Sequence, residues 1–234
     1  LGRCAQTYGF STNVLCAQAL GWIKSQADAR QPFFAYIATN APHSPYVAPE
    51  ADKQRFLKMG FDPGQAGFYG MIENIDHNVG RLIDKLAEWK LDQNTLLIFL
   101  SDNGTAGGRG RGAIGKDANG TPLEFYNAGM KGLKGSADEG GTRVPALFSW
   151  PGRIEPGRDI DRVAAHIDMF PTLLQIAGQD VPEDLQIDGR SLVPLLENPQ
   201  AKWRDRNLFF HVGRWPKGAD PDKFQHAKCA VRNQ

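Results

Sequence analysis

The sequence predicts an α/β fold: a mostly parallel central sheet flanked by helices, followed by the start of a small C-terminal α+β subdomain. Three observations predict it. Short apolar runs occur at residues 33–38, 95–100 and 144–150, and strands without a polar face suit a sheet covered on both sides. Residues 68–90 carry Ile72, Ile75, Val79, Leu82, Ile83, Leu86 and Trp89 at steps of three and four, directly before the second run. Helix followed by strand is the repeating order of α/β proteins. Two of the runs also end in polar residues, His43 after the first and Asp102–Asn103 after the second, and open α/β sheets gather ligands beyond their strand ends.

The elements follow in order. Residues 13–26 show a rough helical stripe through Val14, Leu15, Ala17, Leu20, Trp22 and Ile23. A turn at Gln31–Pro32 opens the first strand, which runs into the proline-rich loop "APHSP". Residues 46–65 read as irregular. The long helix and the connection "LDQN" lead to the second strand, and residues 104–129, rich in glycine and polar residues, read as a loop. The third strand stops at Pro151–Gly152. "HIDMFPTLLQIAG" reads as a helix with Asp168 as N-cap, Pro171 in the first turn and Gly178 at the end. Residues 208–211 and 227–232 are weak strand candidates. The expected division is a catalytic α/β domain over 1–200 and the beginning of a C-terminal subdomain over 201–234.

Composition excludes some functions. The 234 residues carry 27 basic and 26 acidic side chains, a net charge of +1. Nucleic-acid or membrane-surface partners would call for a basic excess. No apolar run approaches the roughly 20 residues of a membrane span, and no secretory signal is visible. Cys4, Cys16 and Cys229 form no CxxC pair, and a Cys4–Cys16 bridge stays open.

Asp102 and Asn103 offer hard oxygen ligands of the kind Ca²⁺ and Mg²⁺ take, although Asp-Asn-Gly is also an ordinary turn sequence. The prolines around His43 stiffen its loop. Lys131 and Lys134 lie among glycines that let the backbone approach something closely, and an anion would suit a lysine there. His77 falls off the apolar stripe, while His166, His211 and His226 have no companion spacing, so zinc is not expected. "GRGAIG" at 110–115 matches GxGxxG but lacks the strand immediately before it and the helix within it. It is not read as a dinucleotide site.

Taken in order, "PFFAYIATNAPHSP", "MIENIDHNVGRLIDKLAEWKLDQNTLLIFLSDNG", "GLKGSADEGGTRVPALFSWPG" and "DMFPTLLQIAGQDVPEDLQIDGRSLVPLL" resemble the sulfatase family of the alkaline-phosphatase-like superfamily. The resemblance implies that Asp102 and Asn103 are two ligands of a divalent cation, usually Ca²⁺ with Mg²⁺ as the alternative. It implies that His43 is the active-site histidine that contacts the sulfate and donates a proton to the leaving alcohol. It places Lys134 on a sulfate oxygen and gives Lys131 no counterpart. Glu139 and Arg143 match family positions and read as shaping the turn before the third strand.

The family attacks with a formylglycine made within C-x-P-S-R or C-x-A-x-R. Neither motif follows Cys4, Cys16 or Cys229. The resemblance therefore implies the middle and later part of a sulfatase, with the nucleophile and the remaining metal carboxylates expected upstream. Its expected substrate is a sulfated small molecule or glycan, and its expected place of work is the periplasm, the cell exterior or the lysosome. Rival readings are a phosphodiesterase or phosphonate hydrolase of the same superfamily and a catalytically inactive sulfatase-like binding protein.

Overall fold

A computed structural model describes residues 6–106, 127–212 and 215–233. Cys4 and the "GRGAIG" segment lie outside the described residues. The chain divides into two compact units, Leu1–Thr95 with Thr105–Gly129, and Leu96–Gly104 with Met130–Gln234.

The first unit is helical: α1 (Ser11–Asp28), α2 (Glu50–Lys58) and α3 (Pro63–Glu88). Helix α3 begins earlier than its apolar stripe suggests. Asp62 caps it, its carboxylate accepting from the N–H groups of Gly64 at 2.8 Å and Gln65 at 3.2 Å, with Pro63 at the first helical position. The packed face also differs from the expected stripe. Of that stripe Leu86 is buried, but Ile72 and Ile83 are exposed, and Met71, Asn74 and Asn78, which lie outside it, are buried. Two amides on that face tie the helices together. The Asn74 amide donates to Asp52 on α2 at 2.7 Å, and the Asn78 amide donates to Asn13 on α1 at 2.7 Å. Buried polar groups that find such partners give contacts an apolar stripe cannot specify. Helix α2 occupies part of the stretch expected to be irregular.

The loop carrying His43 is seated on α3. Ala41 and Ala48 are buried against Met71, with Tyr46 beside them. At Gly67 the helix meets the Tyr46 carbonyl so closely that a Cβ would lie 2.3 Å from the oxygen. Residues 33–38 form no ladder among the described residues, although Phe33, Ala35 and Ile37 are half-buried and Phe34, Ala38 and Tyr36 exposed. That alternation is the period of a strand. The expected strand thus keeps a strand's burial period but has no ladder partner among the described residues.

The second unit holds β1 (Leu97–Leu100), α4 (Glu139–Thr142), β2 (Ala146–Ser149), α5 (Met169–Ile176), α6 (Val193–Glu197), β3 (Leu208–His211), α7 (Pro221–Phe224) and β4 (Cys229–Arg232). Strands β1 and β2 pair antiparallel with Leu97 opposite Ser149, and β3 and β4 pair antiparallel with His211 opposite Cys229. The apolar runs predict parallel neighbours, but the ladders among the described residues are antiparallel. Nor are β1 and β2 covered on both faces here, since Phe99 is 38% and Leu147 63% exposed.

Asp168 is not a side-chain cap for α5. It is fully buried at the end of a 3-10 turn over His166–Asp168. Its carboxylate accepts from the Ala165 N–H, the Arg190 N–H, both at 2.8 Å, and both terminal nitrogens of the nearly buried Arg206. Burial alone would raise this carboxyl; the Arg206 guanidinium and the two N–H groups overcome it and hold it below the ordinary range. Thr172 on α5 links onward, donating to the Asp168 carbonyl at 2.6 Å and accepting from the Leu192 N–H at 2.8 Å. No helix among the described residues is long and apolar enough to cross a membrane.

Candidate active site

The turn after β1 is built by its own side chains. Ser101 Oγ donates to the Asn103 carbonyl at 3.1 Å, and Asn103 Nδ2 donates to Asp102 Oδ1 at 2.6 Å. The Asp102 side chain is exposed and that of Asn103 half-buried. Asp102 Oδ2 and Asn103 Oδ1 have no protein hydrogen bond among the described residues, so two hard oxygens are left for a ligand. That donor set suits Ca²⁺ or Mg²⁺ as part of a coordination shell. Among the described residues no group of three or more His, Cys, Asp or Glu side chains comes together to hold a metal. The pair by itself offers at most two such donors, and a full shell would need others.

The next segment is fixed against this turn backbone to backbone. The Gly104 N–H donates to the Gly141 carbonyl at 3.0 Å, and a Cβ on Gly104 would lie 1.8 Å from the Gly140 oxygen. The glycines of "KGSADEGG" thus bring two stretches of main chain together, and the close approach expected of them is to the turn after β1. Within the same segment the two lysines separate. Lys131 pairs with Asp138 at 3.2 Å. Asp138 is held below its ordinary range by the Ser136 hydroxyl and then by Lys131. Lys134 makes no ion pair among the described residues. Its half-buried side chain lines a cleft of about 290 Å³ together with Asn103, Ser136, Phe210 and His211.

His43 belongs to the first unit, so the structure brings together Asn103 and Lys134 but says nothing of His43 beside them. The ring is exposed, and Nδ1 lies 2.8 Å from the Ser44 carbonyl. A carbonyl only accepts, so Nδ1 carries the hydrogen and Nε2 is the nitrogen left to meet a ligand. Glu139 lies 4.0 Å from Arg143 and 3.9 Å from Arg232, in keeping with a role in shaping the turn. Two residues near the site were not singled out by spacing. His166 Nε2 donates to the Ser101 carbonyl at 2.7 Å, one residue before Asp102. His211 lines the cleft. Neither contact is local in sequence, so no spacing rule could have found them. Cys16 and Cys229 are free thiols, and burial raises that of Cys16.

A family model described as Sulfatase matches residues 3–179. The chain belongs to the sulfatase family. A second model, N-sulphoglucosamine sulphohydrolase, C-terminal, matches residues 135–228 of this sulfatase chain. N-acetylgalactosamine-6-sulfatase of Canis lupus familiaris is 35% identical over 203 residues, which are 86% of this chain and 35% of that protein. Arylsulfatase D of Homo sapiens is 32% identical over 206 residues, 87% of this chain and 32% of that protein. The crystal structure of Ps i-CgsB in complex with k-i-k-neocarrahexaose aligns with a TM-score of 0.73 at 30% identity, covering 89% of this chain and 43% of that one. The α/β fold of the sulfatases is thereby shared. The sulfatase chain described here spans about a third of the length of the curated relatives it matches.

Proposed function

We propose that this chain is the part of a sulfatase that grips the sulfate and contributes half of the cation site, in an enzyme that hydrolyses sulfate esters. The observation that carries the reading is the cleft shared by Asn103 and Lys134, a lysine with no ion pair among the described residues. Cleavage of a sulfate ester builds negative charge on the sulfuryl oxygens and on the leaving oxygen. Asp102 and Asn103 would hold Ca²⁺, or Mg²⁺ in its place, and the cation supplies charge stabilisation at the sulfuryl group when bound. Lys134 would meet a sulfuryl oxygen with a preorganised positive charge, which acts most strongly where charge develops. His43 would donate a proton to the leaving alcohol from Nε2 of its doubly protonated ring, with Nδ1 held on the Ser44 carbonyl. The nucleophile would be a formylglycine outside these 234 residues, since no matching motif occurs in them.

The substrate would be a sulfated small molecule or glycan. Support for a glycan comes from N-acetylgalactosamine-6-sulfatase and from the Ps i-CgsB complex with a neocarrahexaose. Residues 201–234 would begin a smaller C-terminal subdomain, in line with β3 pairing only with β4 among the described residues. The enzyme would work in the periplasm, outside the cell or in the lysosome, as the family resemblance implies.

The test compares two lysines in the full-length enzyme. Lys134→Ala should lower kcat/KM for an aryl sulfate by about 10²–10³-fold, as for loss of one oxyanion-stabilising donor, with melting nearly unchanged. Lys131→Ala removes only an exposed pair with Asp138 and should be close to silent. Equal, small effects from both would remove Lys134 from the site. Faster turnover of a phosphonate or phosphodiester than of any sulfate ester would favour the rival hydrolase.

A further inference from the structure

The turn that offers Asp102 and Asn103 is held at both ends by chain from elsewhere in the second unit. At its far end the Gly104 N–H donates to the Gly141 carbonyl at 3.0 Å. At its near end His166 Nε2 donates to the Ser101 carbonyl at 2.7 Å, across 65 positions of sequence. That carbonyl shares a peptide plane with the Asp102 N–H, so the imidazole fixes the plane from which Asp102 departs. His166 is itself placed by a firm support. It opens the 3-10 turn His166–Asp168. That turn ends in the fully buried Asp168, gripped by Arg206 and by the N–H groups of Ala165 and Arg190. Gly189 packs against the same turn so closely that a Cβ there would lie 2.0 Å from the Ile167 carbonyl oxygen. The backbone under His166 therefore has little freedom, and the imidazole carries its position across to the end of β1. The ring is exposed. A hydrogen bond within reach of water adds little to global stability, so its effect should be local to the peptide it holds.

We propose that His166 is a positioning residue for this turn: by holding the Ser101–Asp102 peptide, it aims the Asp102 and Asn103 oxygens at a divalent cation. This rests on the reading of those two residues as cation ligands. His166 acts through the backbone and touches neither the cation nor the sulfate. Nothing in the role requires a proton to move; an N–H donor at the place of Nε2 is enough. Groups that hydrogen-bond a metal ligand directly orient it, and losing them costs about 10–100-fold in affinity. Here the support reaches the ligand through one peptide link. The expected loss is therefore smaller, about fivefold, the equivalent of one hydrogen bond of about 1 kcal/mol.

The experiment titrates Ca²⁺ into the chelator-treated full-length protein by calorimetry, for the wild type, Asp102→Ala, His166→Ala, His166→Leu and His166→Gln. His166→Ala and His166→Leu should each raise the Kd about fivefold. His166→Gln, whose amide keeps an N–H within reach of the Ser101 carbonyl, should recover most of that loss. In the metal-free protein, hydrogen exchange across 102–104 should quicken in His166→Ala and much less in His166→Gln. Melting of the metal-free variants should stay within about 2 °C of the wild type. If Asp102→Ala weakens Ca²⁺ binding and neither His166→Ala nor His166→Leu does, the assignment of His166 is wrong. If His166→Gln is no better than His166→Leu, the N–H is not the link and the assignment is equally wrong. A large fall in melting temperature with an unchanged Kd would make His166 a residue of the fold alone. If Asp102→Ala itself leaves the Kd unchanged, the cation reading of the turn fails, and the positioning role falls with it.

Discussion

Asp168 shows how much one carboxylate can hold. It is fully buried, and four donors from three separate stretches of chain converge on it: the Ala165 and Arg190 N–H groups and the Arg206 guanidinium. Removing one member of a buried pair strands the other charge, at a cost of about 3–5 kcal/mol. Asp168→Ala should therefore lower unfolding free energy by about that amount in urea titrations, while Asp138→Ala, on an exposed pair, should barely register. The pH dependence follows from the direction of the shift. The folded carboxyl titrates below the unfolded value of roughly 3.9. Its contribution is complete above that unfolded value and is lost as pH falls through the lower folded one. Acid titration of the wild type should show this loss below about pH 4, and Asp168→Asn should flatten it. A variant with the same acid profile as the wild type would mean that other carboxylates govern acid unfolding. At this scale the sequence disclosed Asp168 as a helix-start residue but not its partner, because Arg206 lies 38 positions away. For the same reason spacing does not reveal His166 and His211, whereas Asp102–Asn103 shows as a local pattern and Lys134 is told from Lys131 only by the family resemblance.

At the scale of elements, legibility tracked the kind of force that forms them. Helices α1 and α3 and strands β1 to β4 are visible in the sequence because apolar periodicity or apolar runs mark them. Helix α2 was not, since "EADKQRFLK" offers mainly polar residues with only Phe56 buried. Its stability comes from tertiary packing against α3, which no window of sequence displays. Periodicity alone starts α3 at 68 because Gly64, Gly67 and Gly70 dilute the signal, although Asp62–Pro63 is itself a start signal. That cap yields a prediction. Asp62→Ala should destabilise the first unit by about 1 kcal/mol, and Asp62→Asn, which keeps a capping oxygen, by much less. Hydrogen exchange across 63–67 should report the loss locally. If Ala and Asn behave alike, the cap hydrogen bonds at 2.8 and 3.2 Å contribute nothing and packing alone sets the helix start.

For the whole molecule, the distribution of donors decides what these 234 residues can do by themselves. A Ca²⁺ ion takes 6–8 oxygen ligands. The turn after β1 leaves two side-chain oxygens available, and no acidic or histidine cluster among the described residues adds to them. The relatives are about three times as long as the stretch they share with this chain, so the remaining carboxylates have ample sequence to come from. Residues 1–234 in isolation should then bind Ca²⁺ only weakly, with Kd above roughly 1 mM, weaker than or at the limit of extracellular modules with full ligand sets. On the proposal that the nucleophile is a formylglycine outside these residues, they should not turn over an aryl sulfate, because a catalytic unit without its nucleophile loses most of its acceleration. The full-length protein should bind Ca²⁺ far more tightly, and Asp102→Ala should weaken that binding by an order of magnitude or more. Calorimetry on both forms decides the matter. Tight binding by residues 1–234, abolished by Asp102→Ala, would place a complete cation site within this chain and would require ligands from outside the described residues. Tight binding by the full-length protein that survives Asp102→Ala would instead move the cation away from β1 and leave Asp102 and Asn103 as the turn that their sequence also spells.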